Sequence, residues 1–250
     1  MNTQTAIVID ARGMGYRELN ERIRAALAGG APELLLRNVR GQRYIGAGLR
    51  GSASIVIEGI PGNDLACFMD GPRIVVRGNA QDGVANTMSS GTVVVHGHAG
   101  DVLAYAMRGG RLFVRGDAGY RVAIHMKEYR DRVPVLIVGG TAKDYFGEYM
   151  AGGTLVLLGL DRPEGAPIVG EFLGTGMHAG QILLRGPVED WQLGREVGRV
   201  ELNDACWFEL KRNLADFAGE FDLEPDRFRR EDFTRLMPVS HRPYGKIYVY

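Results

Sequence analysis

The sequence predicts a mainly β protein built around a parallel β-helix of about seven coils, with a strand–helix–strand cap before it and helices after it. Three observations lead to this prediction. Gly accounts for 36 of the 250 residues, whereas its usual share is roughly 7%. A short run of aliphatic residues closed by Gly recurs along the middle of the chain, and Met recurs at one position of the same repeat. Such self-similarity at a fixed period is typical of solenoid architectures.

The N-terminal segment, residues 1–40, is predicted to cap the solenoid. Residues 5–9 have the pattern of a strand, Tyr16–Ala28 has the apolar spacing of an amphipathic helix, and residues 33–39 have the pattern of a second strand. A solenoid needs such a cap because its terminal strand otherwise exposes an unpaired edge.

Residues 41–186 are predicted to form the β-helix. Each coil carries an aliphatic and β-branched tetrad and then a closing glycine. The spacings between closing glycines are 19, 19, 19, 24, 19 and 27 residues, so two coils carry insertions, near 129–132 and 161–169. The closing glycines are Gly59, Gly78, Gly97, Gly116, Gly140, Gly159 and Gly186. We expect these glycines to provide the positive φ that a tight corner requires.

Two further columns of the repeat predict which residues lie inside and outside. Met recurs nine residues before the closing glycine in five coils, and fourteen before it in the coil with the insertion near 129–132. These residues are Met69, Met88, Met107, Met126, Met150 and Met177, which we expect to form a core ladder. Alternation along the tetrads points one residue of each outward. We call these residues the outer stripe: Val56, Val75, Val94, Phe113, Ile137, Val156 and Leu183. A contiguous apolar stripe should be covered, either by the chain's own helices or by a partner protein.

The C-terminal segment, residues 187–250, is predicted to be helical and packed. One helix is expected to begin at Asn203 or Asp204, because either residue can cap it. Pro225 is expected to begin a second helix, and residues 240–250 end in a strand-like run. Apolar residues expected to be buried in the two helices are Trp207, Leu210, Leu214, Phe217, Phe228, Phe233 and Leu236.

Composition excludes several classes of protein. Basic and acidic residues both number 30, so no global positive field exists to hold nucleic acid or an anionic membrane. Two cysteines cannot build a disulfide framework, a four-cysteine zinc site or an iron–sulfur cluster. No apolar run reaches membrane-spanning length and no secretory signal opens the chain, so we expect a cytoplasmic protein with reduced thiols.

Two glycine motifs invite comparison with nucleotide-binding loops. Gly46-Ala-Gly48-Leu-Arg-Gly51 matches GxGxxG, but a strand follows it where the dinucleotide motif requires a helix. Gly13-Met-Gly15 does lie between a strand and a helix, although it lacks a third glycine. A carboxylate of a partner bound at that helix N-terminus is a better interpretation than a nucleotide.

The remaining candidates favour structural roles. His96-Gly-His98 suggests a metal pair without an obvious third ligand, and His178 has the pattern of a coil surface position. Asp82, Asp101 and Asp144 recur singly after closing glycines, which favours corner residues bonded to their own turn over the paired carboxylates of a glycosidase. Cys67 and Cys206 are both expected to be buried structural thiols.

The residues also resemble a known family. The coils IGAGLRG, FGEYMAGGTLVLLG and RLFVRG, with DARGMGYRELNERIRAAL and RNVRGQRYIG before them, resemble the GXGXG domain. That domain is the C-terminal right-handed β-helix of the glutamate synthase large subunit. The resemblance covers roughly residues 5–186, and the closing SHRPYGKIYVY is similar to the end of the stand-alone form.

The resemblance implies a structural subunit rather than an enzyme. It implies a right-handed β-helix and provides no catalytic, cofactor-binding or metal residues for this chain. FMN and an iron–sulfur cluster are expected in a synthase-type partner, and glutamine hydrolysis in an amidotransferase-type partner. The corresponding subunits of N-methylglutamate synthase and of formylmethanofuran dehydrogenase are alternatives within this class. A stand-alone β-helix enzyme acting on carbohydrate, or an adaptor with no redox partner, would be alternatives of another class.

Overall fold

A computed structural model describes residues 6–240, which form one sheet of eleven strands with two α-helices. The helices are α1 (Tyr16–Ala28) and α2 (Asp204–Glu220). The strands are β1 (Ile7–Asp10), β2 (Glu33–Arg40), β3 (Ser54–Ile60), β4 (Asp70–Val76), β5 (Ser90–Val95), β6 (Arg111–Val114), β7 (Val135–Val138), β8 (Ala151–Leu157), β9 (Ala179–Arg185), β10 (Val197–Val200) and β11 (Phe233–Pro238). Their order in the sheet is β1-β2-β3-β4-β5-β6-β7-β8-β9-β11-β10.

Strands β3 to β9 stack in parallel and confirm the predicted β-helix. Ser54 lies beside Arg73, Arg73 beside Thr92, and Thr92 beside Arg111, so each turn advances the register by one repeat. Seven stacked strands make a β-solenoid of about six turns. Strand β2 pairs in parallel with both β1 and β3, so the predicted N-terminal strand–helix–strand unit continues the same sheet.

The interior of the solenoid is a dry apolar core. All six methionines of the predicted ladder are fully buried, as are the inward residues of the tetrads such as Ile74, Val93 and Leu112. Met is flexible and polarisable, so it fills the irregular space between coils. The ladder therefore runs through the centre of the molecule.

The predicted positive φ is found at three of the seven closing glycines, and the other four are needed for a different reason. Positive φ occurs only at Gly59, Gly159 and Gly186 among them. At Gly116 a Cβ atom would lie 2.6 Å from Nδ1 of His98, in the preceding coil. Similar overlaps with the preceding coil would arise at Gly97, Gly140 and, more mildly, Gly78. Close stacking of coils, rather than corner geometry, excludes a side chain at these four positions.

Left-handed backbone recurs elsewhere in every coil, at three alternate positions that precede the methionine or its equivalent. We call these positions the left-handed columns: Tyr44, Gly46, Gly48; Asp64, Ala66, Phe68; Gly83, Ala85, Thr87; Val102, Ala104, Ala106; Arg121, Ala123, His125; Tyr145, Gly147, Tyr149; and Phe172, Gly174, Gly176. The middle residue of each coil is Gly or Ala and is buried, whereas the first and third include large exposed side chains.

Hydrogen bonding explains the alternation. The N–H groups of Asp64 and Phe68 donate to carbonyls of the following coil, at 2.9 and 2.8 Å. The N–H of Ala66, between them, donates to the Ile45 carbonyl of the preceding coil at 2.8 Å. Switching between left-handed and right-handed backbone thus lets one segment bond to both neighbours. Because buried N–H groups must find acceptors, this pattern fixes the turn opposite the strands.

The C-terminal segment contains one of the two predicted helices. Helix α2 begins after Asn203, whose side chain accepts the Cys206 N–H at 3.0 Å. The prediction of a second helix beginning at Pro225 is wrong. Pro225–Arg227 is a single 3-10 turn, and the chain goes on to form β11. Strand β11 pairs antiparallel with β9, and so occupies an edge that would otherwise be unpaired. The predicted strand-like run at the C-terminus lies outside the described residues.

Candidate functional site

The outer stripe is covered by the chain's own helix. Phe113 of β6 and Phe217 of α2 are in contact, with ring centroids 5.8 Å apart. Leu210 and Leu214 of α2 belong to the same hydrophobic cluster. Six stripe residues are buried there, namely Val75, Val94, Phe113, Ile137, Val156 and Leu183, while Val56 is half-buried at one end. The interpretation of the stripe as a surface for a partner is therefore wrong, because α2 occupies it.

Ion pairs hold α2 across the sheet. Arg111 of β6 lies 2.8 Å from Asp216, and Arg73 of β4 lies 2.6 Å from Glu220. Both pairs are partly exposed, so each contributes modestly to stability. Their positions align the helix with the strands it covers.

The first and third left-handed columns, with Tyr105 beside them, carry an aromatic surface that is not part of the cluster under α2. We call it the aromatic face: Tyr105, Arg121, His125, Tyr145, Tyr149 and Phe172. Its rings form two groups. His125 stacks on Tyr149 at 5.3 Å and meets the edge of Tyr105 at 5.9 Å. Tyr145 stacks on Phe172 at 4.9 Å, with the Arg121 guanidinium 4.3 Å from the Tyr145 ring.

The aromatic face includes an ion pair to a buried carboxylate. Arg121 pairs with Glu148, which is 5% exposed. Phe172 remains 46% exposed and Tyr105 40% exposed. Phe68, in the third column three coils before His125, is 61% exposed. Exposed rings therefore recur along several coils.

Backbone strain makes this surface unusual. A side chain in left-handed backbone costs about 1–2 kcal/mol relative to right-handed backbone, whereas Gly adopts it freely. Gly48 and Gly176 show that the fold accepts Gly in the third column. The coils nonetheless carry Phe, His and Tyr there, at Phe68, His125 and Tyr149. The tetrad pattern does not reveal these residues; aromatic residues one and five positions before Met are the signal that could have found them.

The two histidines of the proposed metal pair lie in different surroundings. His96 Nε2 is 2.9 Å from Arg77 Nη1, and its ring meets the edge of Phe221. His98 Nδ1 accepts the Asp117 N–H of the next coil at 2.9 Å. Across residues 6–240, no three His, Cys, Asp or Glu side chains cluster in a way that could hold a metal ion.

Burial and the neighbouring Arg77 lower the pKa of His96. His178 is half-buried, with Nδ1 3.3 Å from the Gly176 carbonyl oxygen. The surroundings of these two histidines suggest packing within the coils rather than catalysis.

The recurring aspartates bond between coils rather than within their own turns. Asp82 accepts the Asp101 N–H at 2.9 Å, and Asp101 accepts the Tyr120 N–H at 2.8 Å. Asp144 accepts the Glu171 N–H at 2.9 Å in the same way. The prediction of own-turn hydrogen bonds is thus wrong, since the carboxylate reaches the equivalent corner one coil further on.

The Gly13-Met-Gly15 segment, in the loop between β1 and α1, borders a cavity of about 880 Å³ whose other walls are the C-terminal parts of β2 and β3. Arg12, Arg37 and Arg40 line it, and Arg37 pairs with Glu58 at 3.3 Å. The Gly46–Gly51 segment instead runs into β3 through left-handed glycines, with no helix after it. It therefore lacks the helix N-terminus that a dinucleotide loop requires.

The two cysteines differ in exposure. Cys67 is 5% exposed, and burial together with the charge of Asp64 raises its pKa to about 11. Cys206 is half-buried on the first turn of α2. The expectation of burial is met by Cys67 only.

No helix among residues 6–240 has the length and apolar character needed to cross a membrane.

Comparison with known proteins places the fold. A family model described as the GXGXG motif matches residues 34–221. An uncharacterised protein of Methanocaldococcus jannaschii is 46% identical over 256 aligned positions, covering 99% of this chain and 98% of that protein. A chain of the formyltransferase/hydrolase complex from Methylorubrum extorquens, solved with methylofuran, superposes with a TM-score of 0.57 at 20% identity. That superposition covers 91% of this chain and 89% of the other, and it shows likeness of fold.

Proposed function

Because the chain belongs to the GXGXG motif family, we propose that it is a non-catalytic subunit of a glutamate synthase-type complex. In this role it scaffolds a separate amidotransferase-type chain and a separate synthase-type chain that carries FMN and an iron–sulfur cluster. The family match is the observation that carries the proposal, since it spans the solenoid from β2 to the end of α2. In this proposal the complex works in the cytoplasm.

The aromatic face supports a scaffold in a second way. One face of the solenoid is closed by α2, whereas the aromatic face lies outside that cluster, includes exposed rings and keeps large side chains in left-handed backbone. A fold under selection for stability alone would favour Gly at such exposed positions. We therefore assign the aromatic face to contact with the synthase-type chain.

Copurification from native cells tests the subunit role. We expect a tagged chain to recover a flavoprotein with iron–sulfur absorption and a glutamine-hydrolysing chain. We also expect the isolated chain to be colourless. A yellow or brown preparation of the chain alone, or turnover of glutamine or a glycan by it alone, contradicts the proposal.

Matched variants test the aromatic face. Phe172→Ala removes an exposed ring of this face, and Phe208→Ala removes a ring that is 67% exposed on α2. We expect both variants to fold and only Phe172→Ala to lose the flavoprotein in copurification. Loss in the Phe208→Ala variant alone would move the contact to α2 and leave the subunit role intact.

The identity of the recovered chains also separates the alternatives. The Methylorubrum extorquens neighbour is a chain of a multi-subunit enzyme complex, which supports a subunit role for this fold. Recovery of formyltransferase-type chains would favour a role like that of the corresponding chain in formylmethanofuran dehydrogenase. Turnover of methylamine in place of ammonia by the recovered complex would identify the N-methylglutamate synthase form.

A further inference from the structure

Helix α2 and the outer surface of the solenoid enclose a cleft of about 400 Å³. Its walls are α2, the first residues of β5 to β7, and the insertion that lengthens the coil before β7. In that insertion Tyr129 and Arg132 form an antiparallel bridge. Arg132 then reaches back to Asp70 and to the Ser89 carbonyl, both at 3.3 Å. The insertion is therefore a folded wall of the cleft.

The floor of the cleft contains a largely buried polar side chain that no protein group in the described residues bonds. Asn213 lies on the inward face of α2 beside Leu210 and Leu214 and is 6% exposed. Its amide has no hydrogen-bond partner within residues 6–240. Largely buried amides in native proteins usually have a hydrogen-bond partner. Because Asn213 lines the cleft, its donor and its acceptor are both available to a bound molecule.

Charges of both signs stand at the edge of the same cleft. Arg111 and Arg132 are held by Asp216 and Asp70 respectively. Arg212 and Glu209, also on α2, are exposed and form no ion pair in the described part of the chain. A ligand that pairs with both Arg212 and Glu209 carries a negative and a positive charge.

We propose that this cleft binds a small zwitterion of the amino-acid class. Its carboxylate accepts hydrogen bonds from the Arg212 guanidinium and the Asn213 amide N–H, since guanidinium and carboxylate pair favourably. Its ammonium donates to the Glu209 carboxylate and to the Asn213 amide oxygen. A simple anion would leave Glu209 and the amide oxygen without a donor. The volume lies within the range of small-molecule sites, and the site does not depend on any partner protein.

Ligand binding to the full chain tests the proposal. Each standard L-amino acid is added alone, and melting temperature and titration calorimetry are recorded. We expect at least one to raise the melting temperature and bind saturably. Its deaminated acid and its carboxamide should bind at least tenfold more weakly. Absence of any such shift, or equal binding of the deaminated acid, overturns the proposal.

Variants then locate the ligand. Asn213→Leu removes the unsatisfied amide from an apolar helix face, so we expect an unchanged or higher melting temperature and an affinity at least tenfold lower. A lower melting temperature with unchanged affinity would indicate a structural role and overturn the proposal.

Variants of the exposed residues Arg212 and Glu209 test the proposal if Asn213→Leu does not fold. We expect Arg212→Gln and Glu209→Gln to weaken binding without changing the melting temperature. Lys211→Gln, on the same exposed turn but outside the cleft, should bind as the unaltered chain does. Unchanged affinity in Arg212→Gln and Glu209→Gln overturns the proposal.

Discussion

At the scale of single residues, the left-handed columns set a limit on which side chains a coil tolerates. Their middle positions face the core and hold only Gly or Ala, because larger residues opposite leave no room. A Cβ at Gly46 would lie 2.5 Å from Cδ1 of Ile74, and one at Gly147 would lie 2.6 Å from Cδ1 of Ile182. Coils with Ala in this position, such as Ala85 and Ala104, accept the backbone strain and bury a methyl group. At Gly46 and Gly147, the neighbouring isoleucine therefore leaves no room for a methyl group.

Substitutions of Phe68 measure the cost of placing a side chain in left-handed backbone. Phe68→Gly should raise the free energy of unfolding by about 0.5 kcal/mol, because relief of left-handed strain slightly exceeds the added entropy of the unfolded chain. Phe68→Val should lower it, since a β-branched residue fits left-handed backbone poorly. Urea unfolding measures both. A Gly variant less stable than the Val variant would contradict the strain argument.

The cysteines provide a second test at this scale. Cys67 is buried and its raised pKa keeps it as a thiol at neutral pH, whereas thiolate is the reactive form. Iodoacetamide at about pH 8, near the ordinary thiol pKa, should therefore label Cys206 and leave Cys67 unmodified until the chain unfolds. Peptide mass spectrometry reads the two sites separately, and equal labelling in the native state would show that Cys67 is accessible.

At the scale of elements, hydrogen bonds join successive coils, and the aspartate oxygens that accept them lie against a glycine of the next coil. A Cβ at Gly119 would overlap Oδ1 of Asp101 and lie 2.9 Å from the Gly100 carbonyl oxygen. Gly119→Ala should therefore lower the free energy of unfolding by about 1–3 kcal/mol through overpacking. Gly219→Ala is the matched control: it lies on α2 with nothing within 4 Å, and should raise stability by up to about 1 kcal/mol. Thermal melting of the two variants gives the comparison, and equal shifts would refute the stacking argument.

Helix α2 depends on one ring in particular. Phe217 is fully buried and contacts Phe113 of β6 and Phe221. Phe217→Ala should lower the free energy of unfolding by about 3–5 kcal/mol, as expected for a large core truncation. Phe208→Ala, on the exposed side of the same helix, should change it by less than about 0.5 kcal/mol. A small effect at Phe217 in denaturant unfolding would mean that α2 is not the principal cover of the outer stripe.

At the scale of the whole molecule, several perturbed groups act in the same direction with pH. The pKa of His96 is lowered by burial and Arg77, against the opposing charges of Glu220 and Asp222. Hydrogen bonds from Ser90 to Asp70, and from Arg115 to Asp161, lower the pKa of those carboxyls. Each group binds a proton less readily when folded, so its contribution is present above its unfolded pKa and is lost as pH falls from there through its folded pKa.

The melting temperature should accordingly fall in two stages on acidification. The first loss begins below about pH 6.5, the unperturbed value for His, and the second below about pH 4, near that for Asp. His96→Gln should abolish the first stage and leave the second. Calorimetric melting from neutral to acidic pH resolves the stages, and a His96→Gln curve with the same first stage would assign it elsewhere.

Periodicity predicted the parts of this molecule that repeat, and missed those set by contacts between coils. The tetrads and the methionine column identify the sheet and its core because each column serves one face in every turn. The roles of Gly97, Asp101 and Phe68 depend on what the adjacent coil places beside them, which no local pattern records. Strand β11 escaped prediction because the three-residue spacing of Phe233 and Leu236 favours a helix, whereas pairing with the free edge of β9 makes the segment a strand. The cleft at Asn213 required α2 to be placed first.

The position of α2 also bears on how the molecule comes apart. A stack of coils that touch only their neighbours would be expected to fray from its ends in independent steps. Helix α2 is bonded to β4 at Glu220 and to β6 at Asp216, and its apolar face rests on the strands around and between them. Opening any of these strands uncovers the helix, and releasing the helix uncovers the rest. The central coils therefore lose their structure together, as a single cooperative unit, while β1 and β2 at the far end are free to open on their own.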